Sequence, residues 1–141
     1  MSAAASDIPA DLRAAFDAYE RAILANDLDA LDAAFAPGSD TLRGDGAGLL
    51  VGHDAISAFR GTRGGVPPRV IESIEYRPLA DGLALLVSVS RFAAGGRGLQ
   101  TQVWQRIDDR WLIAAAHVTP RTPAFDRSIW RTVGDPLYKG A

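Results

Sequence analysis

The chain has no cysteine. Disulfides, thiolate nucleophiles and cysteine-ligated metal sites are excluded with it. Histidine is nearly as scarce, with only His53 and His117, far apart in sequence. A histidine-rich metal centre is therefore not available, and neither a metal nor an organic cofactor is expected. A surplus of positive charge is also missing, with 15 Lys and Arg against 17 Asp and Glu and a net charge of −2. Nothing here neutralises a phosphate backbone, so nucleic acid is not an expected partner. No run approaches the roughly 18 apolar residues of a membrane span. The opening MSAAASDIPADL has neither a basic start nor an apolar run, and does not read as a signal peptide. A cytoplasmic location is the expectation. Familiar motifs of chemistry are absent too. The glycine-rich GDGAG at 44–48 lacks the lysine of a phosphate loop and does not join a strand to a helix. There is no Gly-X-Ser-X-Gly elbow and no carboxylate–histidine–serine order.

What is present suffices for one domain. The 141 residues are 48% hydrophobic, enough for a core but too few for two ordinary domains. Residues 1–6 read as a mobile tail. Leu12, Phe16, Tyr19 and Ile23 recur at spacings of four, three and four, which predicts a helix over 8–26. Asp7 suits its N-cap and Pro9 its first turn. Asp27 or Asp29 can cap a second short helix bearing Leu28, Leu31, Ala34 and Phe35, stopped by Pro37-Gly38. Residues 40–45 and 49–51 form a short hairpin about the glycine turn. A third helix starts at Gly52-His53-Asp54 and ends before Gly64-Gly65 and Pro67-Pro68. After the prolines the period becomes two. Strands are predicted over 69–77, 83–92, 99–107 and 111–119, the last three as an antiparallel meander. The segment 121–141 is rich in proline but carries Phe125, Ile129, Trp130 and Leu137. It is expected to pack on the domain or on a partner.

The order helix, helix, hairpin, helix, four strands resembles the NTF2-like (SnoaL-like) superfamily of cone-shaped α+β domains. A tryptophan opening the last strand and His-Val-Thr ending it are its landmarks. More closely, the chain resembles the AtzH-like subgroup. The segments that carry this are YERAILANDLDAL at 19–31, TLRGDGAGLLVGHDAISAFR at 41–60, QTQVWQRIDDRWLIAAAHVT at 100–119 and FDRSIWRTVGDPL at 125–137. The resemblance implies about three N-terminal helices on a curved, mostly antiparallel sheet, spanning 7–120. It also implies a small-molecule pocket, a homodimer made through the sheet, and a role like that of a 1,3-dicarboxyurea decarboxylase in nitrogen catabolism. Relatives occur beside amidase-type hydrolases, so an amidase partner is a further expectation. A shared fold does not by itself fix function.

Six residues are candidates for the site. Tyr19, Arg43 and His117 are the catalytic ones. Arg43 could clamp a carboxylate in a bidentate pair, or be a surface arginine paired with Asp40 or Asp45. Tyr19 could turn its hydroxyl into the pocket as a proton donor, or be a core tyrosine. Strict alternation would put His117 on a face with Trp111, Ile113 and Ala115. It is then a pocket residue, a buried structural histidine, or part of a dimer face. Arg60, Gln102 and Trp104 are candidates for binding substrate. Arg60 could equally serve the C-terminus of its helix. Gln102 and Trp104 share a face with Gln100 and Arg106, which is either a polar pocket wall or a subunit contact. The expected ligand is a small molecule bearing a carboxylate. A non-catalytic binding or accessory module remains the rival reading.

Overall fold

A computed structural model describes residues 7–119. The expectations placed on 1–6 and 121–141 lie outside the described residues. Three helices and six strands follow one another: α1 (Ala10–Ala25), α2 (Leu28–Ala34), β1 (Leu42–Asp45), β2 (Gly48–Val51), α3 (His53–Arg63), β3 (Arg69–Ala80), β4 (Leu83–Phe92), β5 (Arg97–Ile107) and β6 (Arg110–Val118). This is the expected α+β class.

The apolar stripe of α1 is what fixes the helix on the sheet. Leu12, Phe16, Tyr19 and Ile23 are all buried. Each such side chain contributes about 1.5–3 kcal/mol when removed from water. The helix begins differently from expectation. Pro9 takes the N-cap position with no side-chain cap bond, because its fixed φ suits the entry to a helix while Asp7 lies two residues too early. Asn26 ends the helix in the left-handed region at φ 50°. Asp27 then caps α2 by accepting from the Ala30 N–H at 3.2 Å.

The strands form one sheet in the order β2-β1-β6-β5-β4-β3. All neighbours are antiparallel except β1 and β6, which run parallel with Arg43 opposite Ala116. Pairing in register assigns the faces. Leu86, Gln102, Ala116 and Arg43 stand side by side across four strands and lie on the side the helices cover, with Leu86 and Gln102 essentially inaccessible. Phe16, Tyr19, Phe35, Ile56 and Trp104 fill the space between. On β4, Leu83, Leu85, Val87 and Val89 alternate onto the outer face and stay half-buried.

A bulge changes what β6 shows to the inside. Val103 stands opposite Ala115, yet Trp104 stands opposite Ile113, so Ala114 is an extra residue. Each such insertion reverses the alternation. Trp111 and Ile113 face inward before it, Ala116 and Val118 after it. Among the described residues, no helix is long and apolar enough to cross a membrane.

Candidate functional site

Two cavities flank Tyr19. The larger, about 450 Å³, lies between α1, α2 and the β5–β6 hairpin and is walled mainly by Ala15, Ala18, Ala30, Ala33 and Ala34 with Trp104 and Trp111. Its charged residues, Asp11, Asp109 and Arg110, are all exposed. The smaller, about 180 Å³, is lined by Tyr19, Ile23, Arg43, Arg63, Val66, Pro67, Arg69, Phe92, Gln100, Val118 and Thr119. A binding site is marked by a few polar groups converging in an apolar shell, more than by size. By that criterion the smaller cavity is the candidate. At about 30 Å³ per water it has room for roughly six waters, or one small acid.

Arg43 reaches this cavity from β1. Its side chain is 8% exposed and donates from Nη1 to Asp45 Oδ2 at 2.9 Å. The guanidinium carbon sits 4.9 Å from the centre of the Phe59 ring. The Arg43 hydrogen bond holds the Asp45 carboxyl below the usual carboxylate range, helped by the Ala47 N–H. Arg43 therefore pairs with Asp45 and is also buried against a cavity. The other guanidinium nitrogens make no hydrogen bond among the described residues.

Tyr19 comes from the buried stripe of α1 and stands edge-on to Phe35 at 5.8 Å and to Trp104 at 6.3 Å. Burial pushes its pKa above the ordinary tyrosine value. Arg60, Arg43 and Arg69 oppose that shift, and Glu20 adds to it. The phenol is thus held protonated, while three cations stand ready to offset the phenolate if the proton leaves.

The inner face of β5 carries a closed polar ladder. Trp104 Nε1 donates to Gln102 Oε1 at 2.9 Å, Gln102 Nε2 to Gln100 Oε1 at 3.0 Å, and Gln100 Nε2 to Glu20 Oε1 at 3.3 Å. Arg69 closes the far end, donating to both Glu20 oxygens from Nη2 at 2.8 and 3.1 Å. The indole can only donate and the carboxylate facing Arg69 accepts, so each amide between them has one orientation that satisfies the run. Residues two apart on a strand share a face, which is why the sequence Gln-X-Gln-X-Trp builds this ladder. Gln102 and Trp104 are fully buried and occupied with one another. Ser88 and Ser90, on the same face of β4, keep buried hydroxyls without a hydrogen-bond partner among the described residues.

The structure thus brings Tyr19 and Arg43 to one cavity and places the other candidates elsewhere. His117 is exposed and shares the outer face with Thr101 and Gly44, because the bulge at Ala114 reverses the alternation that would have turned it inward. Arg60 is 3% exposed and pairs with Asp32 at 2.6 Å under the Phe35 ring. That position joins α3 to α2. Gln102 and Trp104 belong to the ladder behind the cavity wall.

Three lining or supporting residues escaped the sequence reading. Glu20 is an acidic residue on a helix, a type that is ordinarily solvated, yet it follows Phe16 by four and so extends the stripe. Arg69 opens β3 directly after two prolines. Arg63 continues the α3 face of Phe59 by the same spacing of four.

Comparison with known proteins agrees with this architecture. A crystal structure of a DUF3225 family protein from Pectobacterium atrosepticum superposes with a TM-score of 0.74 at 29% identity, over 83% of this chain and 93% of that one. A cystatin-like fold protein from Burkholderia xenovorans gives 0.72 at 33% identity, over 78% and 88%. An NTF2-like protein of unknown function from Shewanella oneidensis, at 21% identity and a TM-score of 0.63 over 78% and 97%, shares the fold. The fold is NTF2-like. Among curated proteins, none matches. Residues 1–122 match the AtzH-like family model.

Proposed function

Given that the chain belongs to the AtzH-like family, we propose that it is a cofactor-free enzyme removing or hydrolysing a carboxyl group on a small urea- or amide-like substrate. The observation that carries this is the meeting of a protonated, buried Tyr19 and a buried Arg43 in a cavity sized for a small acid. Arg43 holds the substrate carboxylate through the guanidinium nitrogens that Asp45 leaves free. Tyr19 delivers its proton to the nitrogen bearing the carboxyl group. As that proton arrives, the nitrogen–carbon bond breaks, its electron pair goes to nitrogen, and carbon dioxide departs. Water then returns a proton to the phenolate. His117, on the opposite face of the sheet, has no part in this scheme.

General acid help of this kind accelerates a reaction by roughly 10²–10⁴-fold. Tyr19→Phe is expected to lower kcat for 1,3-dicarboxyurea or a related N-carboxylate by that range, and Arg43→Ala to abolish measurable turnover. If both variants turn the substrate over like the parent, the mechanism is wrong.

The rival reading, a non-catalytic accessory of an amidase-type hydrolase, is favoured by the outer sheet face. Leu85, Val87, Val89, Leu99 and Val103 line it, and no described element covers it. We propose that a second copy of the chain covers this face, as a homodimer. Sedimentation at micromolar concentration should give twice the monomer mass, and a monomer would rule out this interface. Co-purification with an amidase, with no turnover alone, would favour the accessory role.

A further inference from the structure

The arginines around Tyr19 are not equivalent. Arg43, Arg60 and Arg69 each face a carboxylate, from Asp45, Asp32 and Glu20 respectively. Arg63 faces none among the described residues. Its one hydrogen bond runs from Nε to the carbonyl of the next residue, Gly64, at 3.4 Å. It is nevertheless half-buried and lines the cavity. Its guanidinium carbon lies 5.7 Å from the centre of the Phe59 ring, the ring that Arg43 also stacks on. Two guanidinium groups thus share one phenyl platform at the edge of one small cavity, and among the described residues only one of them has a counter-ion.

We propose that Arg63 is the positioning residue that completes the anion grip, holding the substrate carboxylate jointly with Arg43, and that the one unbalanced positive charge it brings selects a singly anionic head group over a neutral one. This deepens the reading of the same cavity given above and rests on it. A lone cation at a helix C-terminus is favourable against the helix dipole, and Arg63 is the last residue of α3. That role would not need the side chain to lie half-buried beside a like charge. Burial lowers its pKa and Arg43 lowers it further, the cost a bound anion would remove.

Malonamate, a stable acid amide, and malonamide, its neutral counterpart, test this by titration of the full chain followed by calorimetry or NMR. The parent should bind malonamate and not malonamide. Arg63→Gln should weaken malonamate binding roughly ten- to hundredfold, the usual worth of a charged hydrogen bond. Arg63→Lys, which keeps the charge and loses the fork, should recover part of it. Unchanged malonamate affinity in Arg63→Gln would overturn the proposal, even with an altered melting temperature, because a helix-dipole role predicts that pattern. Equal binding of malonamate and malonamide, or binding of neither by the parent, would also overturn it. Arg63-dependent binding in a protein without decarboxylase activity would leave this inference standing and remove only the catalytic reading.

Discussion

The cone holds two polar clusters built from the same kinds of residue, and they behave oppositely. Along β5, Trp104, Gln102, Gln100, Glu20 and Arg69 satisfy one another end to end. At the cavity mouth, Arg43 is half satisfied and Arg63 has no carboxylate among the described residues. A set of side chains occupied mainly with one another has less to offer a ligand, and its worth lies chiefly in rigidity and in avoiding buried unpaired groups. An open set keeps donors for something that arrives. Residue type alone would have pooled the two; hydrogen-bond bookkeeping separates them.

The difference can be broken most forcefully at Glu20. Glu20→Ala strands a buried Arg69 and leaves Gln100 Nε2 without its acceptor, so a loss of about 3–5 kcal/mol in urea unfolding is expected. A loss under about 1 kcal/mol would mean that the ladder is no structural unit. The Tyr19→Phe variant sharpens the contrast from the other side. It should cut turnover strongly while shifting stability little, since the phenol oxygen makes no hydrogen bond within the described protein. Because burial raises the Tyr19 pKa, the acid form persists through neutral pH. Any alkaline loss of activity from this group belongs above about pH 10, the ordinary tyrosine value. The smallest effect is expected at His117. His117→Gln should leave turnover unchanged and move stability by no more than about 0.5 kcal/mol, as for an exposed side chain outside any network. A tenfold fall in kcat would put the histidine back in the mechanism.

Much of the scaffold was readable in the sequence for local reasons. The stripe of α1 and the apolar run of β4 each carry their period openly, and β4 runs over the expected 83–92. β3 extends to Ala80, past the expected end, because an edge strand tolerates Pro78, whose missing N–H needs no ladder partner. The parallel contact of β1 with β6 joins residues some seventy positions apart, and no local pattern announces such a pairing. In the site, Tyr19 and Arg43 stood out because they lie in the segments that carry the family resemblance; residue type alone left a core tyrosine and a surface arginine equally open. Arg63 was hidden because Gly64-Gly65 reads as a stop signal and draws attention away from the last turn before it. Glu20 was hidden because an acidic residue on a helix is ordinarily solvated, and its partner Arg69 is supplied from a distant strand. His117 was misplaced because nothing in Ala114-Ala115-Ala116 distinguishes a bulged alanine from a paired one.

That bulge gives β6 a parity, in the sense that the chemistry offered to the cavity depends on whether Ala114 is looped out of the pairing or takes part in it. With Ala114 looped out, the wall beside Arg43 and Gln100 is inert, made of Ala116 and Val118. Were Ala114 instead paired with Val103, every later residue would shift by one, and the wall would become Ala115 and an imidazole with no substitution anywhere. An acid–base group in the cavity can therefore be gained or lost by a slip of one in strand register, and a comparison of sequences column by column would record the same histidine in both.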